Sequence, residues 1–272
     1  MRLFCGLSGM TRQNYYKQRQ HRAREAVGES LALALIAQER SRHPRIGGRK
    51  LLHLVGDELR AAGVEIGRDR FFSLLSRNDL LIERRCKGVR TTRSQHGFVV
   101  YGNLAKELKL GCVHQLWVSD ITYIRTEEGF MFLSLVMDVF SRAIVGYDAS
   151  DSLEMEGALR ALSMAQGQLP ATSRPMHHSD RGSQYCCGAY IAQLKEREMS
   201  ISMTEENHCY ENGCAERLNG ILKQEYGLGE TFVSKVEVRS AVKEAVGLYN
   251  DWRPHGALQN RIPMQVHRES AA

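Results

Sequence analysis

The sequence predicts a two-part α/β protein, in which an all-helical front region precedes a mixed sheet flanked by helices. Apolar residues recur at helical spacing through the first 80 residues, whereas runs rich in β-branched and aromatic residues begin near residue 115. Three of these runs follow one another with short breaks, which is typical of an antiparallel meander. Helical and strand-like segments then alternate, and this alternation favours a mixed sheet with helices packed against it.

The front region, residues 1–100, has a helical pattern that ends near His43-Pro44. Two short amphipathic segments follow, at 49–62 and 68–78, and a glycine-containing turn joins them. This order predicts a helix-turn-helix-like region at about 43–80; a helical hairpin used only for packing is the alternative. In the first interpretation, the cations placed to meet DNA are Arg49, Lys50, Arg68 and Arg70.

Charge is distributed unevenly along the chain. Lys and Arg number 37 against 31 Asp and Glu, which gives a formal net charge of +6, and the cations are dense in the first 100 residues. A basic front beside an acid-containing back indicates a DNA-binding region joined to a catalytic one. Seven cysteines without a C-x-x-C pair indicate no disulfide framework, and no apolar run is long enough to span a membrane. We therefore expect a soluble, intracellular protein.

The back region, residues 101–272, begins with strands. The meander is predicted at 115–125, 129–138 and 143–147. A helix, a strand, a helix and a strand then follow at 154–166, 175–179, 185–196 and 200–203. Two helices close the chain at about 209–226 and 234–252.

Three acidic residues of the back region lie where a solvated charge is unexpected. Asp120 interrupts a nearly continuous apolar strand, and a buried carboxylate there is costly unless it is paired or bound to a metal. Asp180 follows a short strand where the chain enters a loop, and sites gather at such strand ends. Glu216 lies within the helix predicted at 209–226. Fifty-nine residues separate the first two acids, and 35 separate the second from the third.

The helix around Glu216 has one polar face. Asn212, Glu216, Asn219 and Lys223 follow one another at intervals of four, three and four residues, so their side chains share that face. A carboxylate, an amide and a lysine in one line can serve a metal ion and a phosphate together. Asn212, Asn219 and Lys223 are therefore candidate DNA-binding residues.

Carboxylates arranged in this way suit phosphoryl transfer on DNA. Two Mg²⁺ ions about 3.5–4 Å apart activate the nucleophile and stabilise the leaving oxygen, and Mg²⁺ prefers hard oxygen ligands. In this hypothesis Asp120 and Asp180 share one ion and Glu216 completes the second, with Mn²⁺ able to substitute. No Ser or Cys nucleophile is required.

Two other groups of residues compete for a metal. Asp138 also ends an apolar strand, although a turn-forming role explains it as well. His208, Cys209 and Cys214 contain zinc-ligand types but lack a matching second pair. Both alternatives stay open at the level of sequence.

Five blocks of sequence form a recognisable series. They are Trp117–Ile124, Asp138–Arg142, His178–Tyr185, Cys209–Glu216 and Tyr249–Leu258. Together with Lys223 they resemble the OrfB transposases of the IS-three family of bacterial insertion sequences, relatives of retroviral integrases. Residues 1–100 resemble the helical amino-terminal part of the same family, so the resemblance covers nearly the whole chain.

The resemblance implies an RNase H-like catalytic core, with a mixed five-stranded sheet and catalytic acids at Asp120, Asp180 and Glu216. Lys223 corresponds to a residue expected to touch the transposon end. One block departs from the family pattern, because Glu205 and Glu206 stand where basic residues are usual. This departure puts the local DNA contact in question and leaves the three acids unaffected.

The implied activity is that of a DNA transposase, which cleaves transposon ends and transfers the freed 3′-hydroxyl to target DNA. Its implied partners are DNA, further copies of itself in a synaptic complex, and an upstream OrfA product or fusion segment. The implied location is the bacterial cytoplasm, in association with the nucleoid. Two alternatives remain: a related nuclease or integrase without transposition, and a non-enzymatic helix-turn-helix regulator.

Overall fold

The computed structural model describes residues 10–82, 98–106, 108–205 and 213–271. The chain forms two compact units, Met1–Arg84 and Arg85–Ala272. The first unit is helical and the second is mixed α/β, which confirms the predicted fold class. Within the described ranges, no helix combines the length and the apolar character needed to cross a membrane.

The described part of the first unit contains three helices: α1 (Arg12–Arg42), α2 (Gly48–Ala61) and α3 (Arg68–Arg77). The hydroxyl of Thr11 caps α1 by accepting the backbone N–H of Asn14 at 3.2 Å. Gly63 makes the turn after α2 with a φ of +73°, a conformation that favours glycine. The helices share one apolar core, which contains Ala32, Ile36, Ile46, Leu51, Val55, Leu59, Phe71, Leu74 and Leu75. The two short helices therefore form within one residue of their predicted ends.

The second unit is built on a mixed sheet. Its strands are β1 (Leu116–Thr126), β2 (Gly129–Asp138), β3 (Ile144–Ser150), β4 (Met176–Ser179), β5 (Ile201–Met203) and β6 (Thr231–Phe232). The order is β3-β2-β1-β4-β5, and β6 pairs with the far end of β1. The first three strands are antiparallel, whereas β4 runs parallel to β1 and β5 runs parallel to β4. All five predicted strands are present; β6 lies outside the prediction because two residues carry no periodicity.

Helices cover both faces of this sheet. They are α4 (Met155–Gly167), α5 (Ser183–Cys186), α6 (Gly188–Glu196), α7 (Gly213–Glu225), α8 (Lys235–Asp251) and α9 (Pro263–Ala271). Trp117 of β1 belongs to the core with α4 and α6, and its neighbour Val118 belongs to the core with α7 and α8. The helix predicted at 185–196 is divided in two, because the backbone of Cys187 is extended. Because successive side chains of a strand point to opposite faces, β1 contributes to both cores.

Candidate active site

Asp120 and Asp180 are neighbours across two parallel strands. The register pairs Ser119 of β1 with Ser179 of β4. Asp120 is the next residue of β1, and Asp180 is the first residue beyond β4. Since adjacent strands lie about 4.8 Å apart, this register brings the two carboxylates together although 59 residues separate them in the chain.

The turn after β4 fits closely around the Asp180 carboxylate. The backbone N–H of Gly182 donates to Asp180 Oδ1 at 2.9 Å. A Cβ atom at position 182 would lie 3.0 Å from the same oxygen, so any larger residue would press on the carboxylate. Gly182 is a site residue that our sequence reasoning missed; a glycine two positions after a strand-end aspartate was the available signal.

The polar face of α7 meets Asp120. Asn219 donates its amide Nδ2 to Asp120 Oδ2 at 2.7 Å. Asn219 is only 7% exposed, and its Oδ1 has no hydrogen-bond partner among the described residues. The structure thus places Asn219 against the carboxylate instead of on an exposed surface where DNA would contact it. Asn212, the first member of the predicted line, lies outside the described residues.

Lys223 lies one turn beyond Asn219 on the same helix. Its side chain is half-buried, and burial lowers the pKa of its ammonium group, whereas attraction to Asp120 raises that pKa. The ammonium group is therefore held near the carboxylates, where it provides positive charge. This position suits a phosphate brought to the same place.

Burial and electrostatic repulsion both disfavour the ionised form of Asp120. Burial raises the pKa of Asp120 to about 7, and repulsion by Asp180 adds to the increase, with a smaller contribution from Glu216. The backbone N–H of Ile121 and the amide of Asn219 act in the opposite direction. Two adjacent carboxylates that repel each other, with an unsatisfied amide oxygen beside them, have the donor chemistry that a hard divalent cation requires.

Glu216 lies on the adjoining helix α7, where its effect on the pKa of Asp120 is smaller than that of Asp180. It lies in the first turn of α7 with an exposed side chain. Across the described residues, no three His, Cys, Asp or Glu side chains form a ready-made metal cluster. The structure therefore brings Asp120 and Asp180 together and leaves Glu216 on the adjoining helix.

A buried imidazole supports the base of the site from the opposite face of β1. His177 Nε2 lies 2.8 Å from the Ser119 hydroxyl and 2.9 Å from the Tyr190 hydroxyl. Burial, with a smaller effect of His178, lowers the pKa of His177 to about 3, so the ring is neutral at physiological pH. Neutral His177 thus fixes the residue that immediately precedes Asp120.

Glu205 has a structural partner. Its Oε1 accepts the backbone N–H of Asn103 at 3.0 Å, and the hydroxyl of Ser202 accepts the N–H of Leu104 at 2.9 Å. These bonds tie the segment at 102–105 to the edge strand β5, which accounts for an acid at this position. Glu206, the second acid of the departing block, lies outside the described residues.

Asp138 is a turn former, as the alternative interpretation had it. Its fully buried carboxylate accepts the N–H of His114 at 2.7 Å and the N–H of Ser141 at 2.8 Å. Cys214 lies against Arg142, whose Nη1 is 2.7 Å from its sulfur. His208 and Cys209, the other members of the zinc alternative, lie outside the described residues.

The cations proposed to meet DNA in the first unit differ in their surroundings. Arg70 lies 3.1 Å from Glu25 and 3.6 Å from Glu29, both on α1. Arg68 pairs with its neighbour Asp69 at 2.8 Å. Arg49 is exposed and Lys50 is half-buried in the first turn of α2. The opening of α3 is thus occupied by internal ion pairs.

Comparison with known proteins identifies the class. The family description Integrase core domain matches residues 112–209, and a second description of the same name matches 197–263. The simian T-cell lymphotropic virus intasome shares the fold at a TM-score of 0.50 and 17% identity, covering 85% of this chain and 74% of that chain. The HTLV-2 integrase catalytic core domain in complex with magnesium gives a TM-score of 0.46 at 17% identity, covering 57% and 96%. Sequence and fold together define a polynucleotidyl transferase with an RNase H-like integrase core.

Two relatives identify the family more closely. The transposase InsF of insertion sequence IS3A from Escherichia coli K12 is 31% identical over 100% of this chain and 95% of its own length. A 31 kDa protein of insertion element IS600 from Shigella sonnei is 33% identical over 95% of each chain. The chain belongs to the IS3 family of insertion-sequence transposases, the proteins of DNA transposition and integration.

Proposed function

We propose that Asp120, Asp180 and Glu216 are the catalytic acids of this transposase and hold two Mg²⁺ ions, for which Mn²⁺ can substitute. The carboxylates of Asp120 and Asp180, which directly follow the register pair Ser119 and Ser179, carry the proposal, because burial and mutual repulsion both favour a bound cation. When bound, the ions supply a Lewis acid that activates the nucleophile and stabilises the leaving oxygen. Glu216 completes the set from α7.

The other residues of the site orient the carboxylates and neutralise the charge of the DNA phosphate. Asn219 donates to Asp120 Oδ2 and so fixes the orientation of this carboxylate. Gly182 holds Asp180 through its N–H, and Lys223 provides a cation for the DNA phosphate. Groups fixed in this way need little rearrangement during the reaction, and such preorganisation is a large part of catalysis in phosphoryl transfer.

The proposed reaction has two steps of the same kind. Water attacks the phosphorus at the transposon end, the P–O3′ bond breaks, and a 3′-hydroxyl is released while the proton of the water passes to solvent. That 3′-hydroxyl then attacks a phosphodiester of the target, and a target 3′-oxygen leaves. Both steps exchange one P–O bond for another, so neither an oxidant nor a covalent enzyme intermediate is needed.

DNA is the proposed partner of both units. We propose Arg49 and Lys50 as contacts in the first unit and retain Arg68 and Arg70 as weaker candidates, because acids already engage them. We further propose that several copies assemble on paired ends, that an upstream OrfA product or fusion segment takes part, and that the enzyme works at the bacterial nucleoid.

The test is strand transfer by the purified chain on duplexes that carry the ends of the element. We expect cleaved and joined products with Mg²⁺, none with chelator, and none from Asp120→Asn. Asp148→Asn is the matched control, since Asp148 pairs with Arg160 at 2.9 Å and lies outside the site. Cleavage without joining would favour the nuclease alternative, and binding without cleavage would favour the regulator.

A further inference from the structure

The first half of α1 is a helical arm that leaves the core. The buried residues of α1 are Gly28, Ala32 and Ile36, all in its second half. None of the described residues 12–27, here called the arm, is buried. At about 1.5 Å per residue, the arm extends the helix by roughly 24 Å beyond the packed part. Among the described residues, the arm therefore adds no side chain to the buried core, and Glu25 near its end pairs with Arg70 of α3.

The arm is strongly basic. Between Arg12 and Arg24 there is no acidic residue, and five cations are exposed: Arg12, Lys17, Arg19, Arg22 and Arg24. No ion pair involves these five cations within the part of the chain that the structure describes. Arg19 and Arg22 are three residues apart on one side of the helix, and like charges at this spacing destabilise a helix. A polyanion bound along the arm would remove that repulsion.

Four of the five cations form two stripes with an uncharged face between them, and Arg22 lies outside both stripes. At about 100° per residue, Arg12 and Arg19 lie on one flank, and Lys17 and Arg24 lie on the other. The face between the flanks points away from Gly28, Ala32 and Ile36. It consists of Gln13, Tyr16, Gln20, Ala23 and Val27. Tyr16 is 44% exposed and Val27 is 71% exposed, so this face presents apolar groups beside its two glutamines.

We propose that the arm is the DNA-reading helix of this protein and lies in the major groove of duplex DNA. The groove admits one α-helix, and a glutamine bonds adenine through two contacts, while alanine and other apolar groups contact the thymine methyl group. The face between the flanks offers these residue types. The two basic stripes lie where the phosphates on either side of the groove would be.

This inference deepens the proposed function and rests on it for the choice of DNA. It also differs from the sequence prediction, which placed the cations that meet DNA at Arg49, Lys50, Arg68 and Arg70. The opening of α3 is engaged with acids of its own unit, because Arg70 pairs with Glu25 and Glu29. Arg68 and Arg70 are exposed but paired with acids, whereas the five cations of the arm have no ion-pair partner among the described residues.

The experiment measures binding of the full chain to two fluorescent duplexes in the presence of chelator. One duplex carries the terminal repeat of the element, and the other is a scrambled sequence of the same length. We expect Arg19→Gln combined with Arg24→Gln to weaken both duplexes alike and to reduce the slope of log affinity against log salt by about two. We expect Gln20→Ala to weaken only the terminal duplex, by roughly 5- to 150-fold.

Two controls make the result decisive. Arg60→Gln removes an exposed cation of the same unit that pairs with Asp57, and it should leave both affinities unchanged. Alanine is the better helix former, so a loss in Gln20→Ala cannot come from an unfolded arm, and circular dichroism verifies this. Unchanged affinities in the arm variants, or loss of discrimination only in Arg68→Gln and Arg70→Gln, would overturn the inference. Because no metal is present, failure of strand transfer would count against the proposed function and leave this result standing.

Discussion

Replacing Asp120 by asparagine should stabilise the metal-free protein while it abolishes activity. Burial and the adjacent Asp180 raise the pKa of Asp120 from 3.8 to about 7 in the folded state. The folded protein then binds more protons than the unfolded chain between these values, so its stability falls as the pH rises through this window. At 1.36 kcal/mol per unit, the ionised carboxylate costs about 4 kcal/mol at pH 8, and this is an upper limit because Asp120 keeps some solvent contact.

Asparagine has nearly the same shape and no charge, and its carbonyl oxygen still accepts the Asn219 amide. We therefore expect urea unfolding of Asp120→Asn in chelator to show a gain that approaches about 4 kcal/mol at pH 8 and falls below about 2 kcal/mol at pH 5. With Mg²⁺, wild type should gain stability and the variant should not.

Asp148→Asn is the control variant, for which we expect a change in stability of the opposite sign. It also replaces a partly buried aspartate, but Asp148 is paired with Arg160 at 2.9 Å, so this variant should lose stability at pH 8. If Asp120→Asn is less stable than wild type at pH 8 without metal, or if its advantage does not depend on pH, the account of Asp120 as a buried carboxylate repelled by Asp180 is wrong.

Three further variants test the supports of the site. Arg253→Met should lose about 3–5 kcal/mol of unfolding free energy in urea, because Glu225 then lacks the two 2.8 Å hydrogen bonds that Arg253 donates. The double variant Arg253→Met, Glu225→Leu should recover most of this loss. If it recovers none, packing of Arg253 and not its charge pair accounts for the loss. Burial lowers the pKa of His177 from 6.5 to about 3. The free energy of unfolding of wild type should therefore fall by up to about 1.4 kcal/mol per pH unit as the pH drops through this range, and His177→Asn should not show this pH dependence. The same pH dependence in both proteins would contradict a buried neutral ring. Gly182→Ala should raise the Mg²⁺ concentration needed for half-maximal activity about tenfold with little change in melting temperature, because its Cβ would press on Asp180. An unchanged Mg²⁺ titration would argue against a role of this turn in the site.

The strands and the larger helices could be predicted because their patterns are local. The strands of the meander are rich in β-branched and aromatic residues and are separated by short breaks, and α2 repeats apolar residues at helical spacing. A window of about ten residues is therefore enough to predict each of these elements. Strand β6 and helix α9 could not be predicted from such local patterns. Two residues have no period, and α9 is a short helix at the end of the chain.

The sequence predicted which residues of α7 share a helical face, but not which residues that face contacts. The spacing of Asn219 and Lys223 from Glu216 placed them on one face, yet only the structure shows that this face meets Asp120. Arg253 shows the same limit. No local pattern marks Arg253 as buried, yet it is 1% exposed and pairs with Glu225, 28 residues earlier. Pairings between distant residues have no local signature.

The parallel pairing of β1 with β4 has a consequence for how this chain tolerates changes of length. Asp120 and Asp180 are aligned by a ladder of backbone hydrogen bonds, so the number of residues between them does not affect their separation. Insertions in the loop at 168–175 should therefore be neutral for activity. Deletion of one residue within Met176–Ser179 would exchange the faces of the following side chains, carrying His177 out of its pocket and Asp180 out of line. Length variation among functional descendants of this protein should accordingly accumulate in the loop and be absent from the strand.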